Sequence, residues 1–95
     1  MAHRVAPAAT DDLDDIWIHI AKADSGMDVA TRLVDAITDR FFFLASFPYL
    51  GRTRENDFGA GSRSFSVGEY VIVYCVEGED VFILRVVHGK RESPG

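Results

Sequence analysis

Leu13, Ile16, Trp17 and Ile20 recur at i, i+3, i+4 and i+7, a spacing that puts one apolar stripe on an α-helix. Thr10 reads as the N-cap of this helix. Asp11, Asp12, Asp14 and Asp15 then fall in its first turns, where the positive end of the helix dipole favours anions. Asp24-Ser25-Gly26 marks its end. A second helix begins near Asp28 and buries Ala30, Leu33, Val34, Ile37, Phe41 and Leu44, with Pro48 as its stop. At about twenty residues it spans about 30 Å. The short turn between the two predicts an antiparallel helical hairpin. Phe41, Phe42 and Phe43 sweep roughly 300° of a helix surface, so they cannot all face one core. They form either a wide core stripe or part of a groove that a partner covers.

The period changes to two on either side of the hairpin. His3–Ala8 forms a short first strand that ends near Pro7, which cannot donate to a ladder. From Phe47 to Gly61 periodicity fails, and a loop of that length in so small a domain is a candidate functional segment. Arg63, Phe65 and Val67 then alternate with Ser62, Ser64 and Ser66, as in a half-buried strand at a sheet edge. Gly68-Glu69 suits a type II′ hairpin turn. Tyr70–Val76 is the next strand, Glu77–Asp80 turns again, and Val81–Val87 is the last. That last strand is apolar on both faces and is therefore expected in the sheet interior. Strict alternation puts Arg85 with Val81, Ile83 and Val87, and His88 with Phe82, Leu84 and Val86. The expected class is α+β with the order β-α-α-β-β-β: a mainly antiparallel sheet with a helical hairpin packed on one face.

Composition narrows this picture. The chain has 95 residues, 47% of them hydrophobic, which predicts a single folded domain across residues 1–95. Its stability is expected to be on the order of 5–10 kcal/mol. Cys75 is the only cysteine, so no internal disulfide forms, and no Cys/His cluster has metal-ligand spacing. No metal or cofactor is expected. The start of the chain lacks a charged-then-apolar signal pattern, and no apolar run reaches membrane length, which predicts a cytoplasmic protein with no membrane partner. The net charge is −5. Residues 1–50 hold eight acids against four Lys/Arg, and residues 51–95 hold seven against six. An acidic balance argues against bulk nucleic-acid binding, but it leaves room for a local basic site.

Three stretches carry a family resemblance across residues 3–92. APAATDDLDDIWIHIA resembles the opening of the ParE/RelE toxin superfamily, with its Asp-Leu-x-x-Ile helix. FPYLGRTRE resembles that superfamily's Pro-x-x-Gly-Arg segment after the second helix. RSFSVGEYVIVYCVEGEDVFILRVVHGKRE resembles its C-terminal three strands, including an Arg-x-x-His ending. The resemblance implies a RelE/ParE-like fold and a toxin of a type II toxin–antitoxin pair, neutralised in a hetero-oligomer with a cognate antitoxin, ParD-like or another small DNA-binding protein. ParE-like members, among them plasmid-stabilisation toxins, poison DNA gyrase. RelE-like members cut mRNA on the ribosome. Fold alone does not choose between them.

Residue chemistry leans toward ParE. Cleavage by a 2′-hydroxyl needs a base, an acid and cations for the phosphorane. RelE-like members use either several lysines and arginines with a C-terminal tyrosine, or a set of glutamate, arginine, histidine and tyrosine. Here Lys22 and Lys90 are the only lysines, and no aromatic follows Phe82. An enzymatic reading would rest on Arg63, Arg85 and His88, with Glu55 as an addition. A binding reading draws on Arg52, Arg54, Arg63, Arg85, His88, Lys90 and Arg91 as contacts for target or antitoxin. Each residue also has a structural alternative. Arg85 can be held by a carboxylate, His88 can bond strand-end backbone, Arg52 and Arg54 can belong to a solvated loop, and Lys90 and Arg91 to a solvated tail. The leading expectation is a gyrase inhibitor that acts by binding. A ribosome-dependent mRNA endonuclease and a degenerate toxin that only binds antitoxin remain alternatives.

Overall fold

The computed structural model describes residues 2–23, 26–54 and 59–89. The expected helix stop at Asp24-Ser25, and the residues Glu55, Lys90 and Arg91, lie outside these. Strand β1 is His3–Val5, followed by helix α1, Pro7–Lys22, and helix α2, Gly26–Ser46. The sheet continues through β2, Arg52–Thr53, β3, Ser62–Val67, β4, Tyr70–Glu77, and β5, Asp80–His88. The strand order is β1-β5-β4-β3-β2, with β1 parallel to β5 and every other pair antiparallel.

Helix α1 starts four residues earlier than the Thr10 cap predicts. Ala6 is its N-cap, with no side-chain capping bond, and Pro7 opens the first turn. Proline's fixed φ suits that position, and its missing N–H is one the helix would leave unbonded anyway. The four aspartates therefore lie beyond the first turn, so helix-dipole stabilisation does not explain them. Helix α2 likewise begins at Gly26, not Asp28.

The two helices pack on one face of the sheet. Ile16, Ile37, Phe41 and Leu44 meet Tyr70, Ile72, Tyr74, Val81, Ile83 and Val86 in the core. Of the three consecutive phenylalanines, Phe41 is buried while Phe42 and Phe43 are exposed. As expected, β5 lies inside the sheet, between β1 and β4. The expected edge position of β3 needs correction, because residues of the apparent loop form β2 and pair Arg52 with Ser64 and Thr53 with Arg63. Only the Phe65–Val67 half of β3 lacks a neighbour on that side among the described residues. No helix of the described residues is long and apolar enough to cross a membrane.

The face assignment in β5 also changes. Val73 pairs with Arg85 but Tyr74 pairs with Ile83, so Leu84 is an extra residue in the ladder. A bulge of this kind shifts the phase of alternation by one. Val81, Ile83, Val86 and His88 consequently share the helix-covered face, and Phe82, Arg85 and Val87 share the other.

Candidate functional site

Arg85 is the cation that an apolar strand has to explain. β1 ends at Val5 because Pro7 begins α1, so the neighbouring stretch of β5 loses its ladder partner after the bond from Ala6 N–H to the Ile83 carbonyl, 2.9 Å. Asp12 of α1 takes over there. Its carboxylate accepts the Val86 N–H at 2.9 Å, Arg85 Nε–H at 2.8 Å and an Arg85 Nη2–H at 2.9 Å. The bidentate bond raises the guanidinium pKa further above its already high ordinary value. Arg85 is thus the outer half of a helix-to-sheet clasp. Nothing in the pattern of four nearby aspartates singled out Asp12, because its role depends on where β1 stops.

Arg63 is committed in a similar way. Its Nη1 donates to the carbonyls of Gly51, 2.8 Å, and Tyr49, 3.3 Å, and the guanidinium lies 5.0 Å from the Tyr49 ring centre. Beside it the buried Tyr74 hydroxyl donates to the Pro48 carbonyl and accepts the Gly51 N–H, both at 2.8 Å. Burial pushes the Tyr74 phenol pKa up. These bonds tie Pro48–Gly51 to the sheet. Gly51 is needed there for close approach, since a Cβ would stand 2.5 Å from the Tyr74 hydroxyl and 2.7 Å from the Ser64 carbonyl.

The remaining candidates divide between faces. Arg52 is exposed on β2, and cross-strand pairing puts Arg52, Ser64, Val73 and Arg85 in one row on the face without helices. Arg54 Nη1 donates to Ser64 Oγ on that same face at 3.2 Å. Arg4, which periodicity did not single out, joins them with its guanidinium 5.6 Å from the Phe82 ring centre. His88 is on the helix-covered face, opposite Tyr70, and its ring stands edge-on to Tyr70 at 5.2 Å. Arg63 is opposite Tyr74, so it and His88 are separated by four residues of β4, roughly 13 Å, as well as by strand β4 itself. Arg63, Arg85 and His88 therefore do not converge. Among the described residues, no group of three or more His, Cys, Asp or Glu is placed to hold a metal ion.

The end of α2 and the loop after it form a second surface. Phe43, Phe47, Tyr49 and Leu50 are all exposed there, Tyr49 at 68%. Phe43 lies 5.2 Å from Phe47 and 6.2 Å from Phe65 between ring centres, which carries the patch to the open half of β3. Arg40 stands 5.7 Å over Phe43. Phe43, Phe47 and Phe65 thus form a connected aromatic surface with Arg40 over it, which suits an apolar partner segment that also carries acidic residues. Phe42 lies on the other flank of α2, its ring 4.6 Å from that of His3 in β1.

Comparison with known proteins agrees with this architecture. Residues 4–93 match the family model described as the ParE toxin of the type II toxin–antitoxin system parDE. Toxin ParE3 of Caulobacter vibrioides is 38% identical over 79 residues, covering 83% of this chain and 77% of that protein. The chromosomal ParDE system of P. aeruginosa superposes with a TM-score of 0.79 at 22% identity, covering 93% of this chain and 95% of the other. A RelBE2 toxin–antitoxin complex from Mycobacterium tuberculosis superposes at 0.64 with 27% identity, covering 92% and 95%. On the family match and the identity to the Caulobacter toxin, the chain belongs to the ParE toxin family of type II toxin–antitoxin systems.

Proposed function

We propose that this toxin acts in the cytoplasm by binding DNA gyrase and inhibiting it, and that a cognate antitoxin neutralises it in a hetero-oligomer. Family membership supports the gyrase target. The observation that favours binding over RNA cleavage is the separation of Arg63, Arg85 and His88. Arg85 is clasped to Asp12 on one face, while Arg63 and His88 stand at opposite ends of the other. General acid–base cleavage needs its groups within hydrogen-bond reach of one phosphodiester. The antitoxin would lay an apolar helix across Phe43, Phe47 and Leu50 and add a strand along the open half of β3.

The test is supercoiling of relaxed plasmid by purified gyrase with increasing toxin. The expected result is loss of supercoiled product near stoichiometric toxin and its recovery on adding antitoxin. Full supercoiling activity at tenfold excess would rule out gyrase as the target. Phe43→Ser with Phe47→Ser should weaken antitoxin capture at least about tenfold, because two exposed aromatic anchors are lost. Unchanged capture would move the antitoxin to another surface.

A further inference from the structure

A cleft of about 390 Å³ opens between α1, the β3–β4 turn and the end of β5. Ile16 and Ile20, one turn apart on α1, line it together with Tyr70 and supply its apolar walls. Asp15 and His19, also one turn apart, bring a carboxylate and an imidazole from the same helix. Glu69 and His88 bring a second such pair from the sheet side, with His88 Nε2 3.7 Å from Glu69 Oε2. The Gly89 N–H donates to the Glu69 carbonyl at 2.7 Å, so the end of β5 is fastened to the turn that carries Glu69.

This lining selects by charge and shape. Carboxylates from two separate elements, exposed Asp15 and exposed Glu69, stand at the wet rim of an apolar floor made by Ile16 and Tyr70, and among the described residues no lysine or arginine lines the cleft. An anion would meet two negative groups. A neutral apolar ligand would bring no charge to either carboxylate. A cationic head on an apolar stem satisfies both parts, because long basic side chains bury their methylenes while the head stays wet. Guanidinium fits better than ammonium, since its planar fork can serve two carboxylates and stack on an aromatic ring. The volume lies at the lower end of small-ligand sites and suits one long side chain with its flanking residues.

We infer that this cleft receives an arginine side chain presented by a partner protein. The inference does not depend on gyrase being the target, since it concerns a surface away from the Phe43–Phe47 patch and is read by direct binding. The test is an NMR titration of the ¹⁵N-labelled chain with a blocked Ala-Arg-Ala peptide and with the same peptide carrying citrulline, which has a similar shape without the charge. Amide shifts confined to Asp15, His19, Glu69 and His88, with citrulline at least about fivefold weaker, are expected. Asp15→Asn and Glu69→Gln should each weaken the arginine peptide roughly two- to fivefold, as an exposed ion pair allows, while Glu77→Gln at the far end of β4 should not. Equal affinity for citrulline, shifts centred elsewhere, or none at about 10 mM peptide would overturn the assignment. Putrescine, a diamine without a guanidinium, binding as tightly as the peptide would also overturn it, by assigning the cleft to free amines.

Discussion

Replacing Asp12 with alanine should cost far more than replacing its ion-pair partner. The Asp12 carboxylate accepts three hydrogen bonds, two from Arg85 and one from the Val86 backbone. The Arg85 side chain is 52% exposed and that of Asp12 14%. The ion pair is therefore partly screened by solvent, and losing it costs about 0.5–1 kcal/mol. The Val86 bond differs, because alanine leaves a half-buried N–H with no acceptor beside the end of β1. A hydrogen bond to a charged acceptor contributes about 1.5–3 kcal/mol, and the lower end applies to a site this close to solvent. Asp12→Ala should thus lose about 2–3 kcal/mol, a large fraction of the stability of a domain this size. Arg85→Ala should lose at most about 1 kcal/mol. Asp12→Asn keeps one oxygen for Val86 and should fall between them. Urea unfolding followed by far-UV circular dichroism measures all three. Equal losses for Asp12→Ala and Arg85→Ala would refute the reasoning, since they would mean that the ion pair supplies nearly all of the stabilisation and the Val86 backbone bond almost none.

The remaining expectations follow from neighbouring parts of the molecule. Gly51→Ala places a methyl against the Tyr74 hydroxyl and the Ser64 carbonyl and should cost about 1–3 kcal/mol in the same urea assay, whereas unchanged stability would mean that the 48–51 loop moves freely off the sheet. Cys75 has its thiol pKa pushed up by burial and then by the Glu77 charge, so less of it is thiolate at any given pH. It should react with iodoacetamide at pH 8 more slowly than in the urea-unfolded chain, and Glu77→Gln should speed it; equal rates in the folded and unfolded chains would contradict this. Removing Lys90–Gly95 should abolish growth inhibition while leaving antitoxin capture in place, and persistent toxicity would move the gyrase-binding surface away from the tail.

Periodicity was a good guide wherever a single rule governed a whole element. The i, i+3, i+4 stripe of Leu13–Ile20 and the apolar run of Val81–Val87 each led to the right type of element and the right layer. It failed where two local rules competed. Thr10 is a good cap, but Pro7 is an equally good first helical residue and starts the helix earlier. Arg52 and Thr53 are too few to show a strand period and become a strand only because β3 offers them a ladder. Leu84 carries no mark of a bulge, yet it decides which faces Arg85 and His88 take.

The chain on its own therefore determined the types and order of every element except β2, the hairpin on one side of the sheet and the toxin family, because these follow from short-range spacing and from motifs that can be read in line. The partners of the charged residues were decided only in three dimensions. Asp12 and Arg85 are separated by more than seventy positions, and they meet because β1 stops at Val5 and leaves the Val86 N–H without a strand to bond. The same holds for Arg63 at the Gly51 carbonyl and for the four polar groups around the His88 cleft. A buried or half-buried polar group takes whichever acceptor the packed backbone brings within about 3 Å, and sequence distance does not enter that selection.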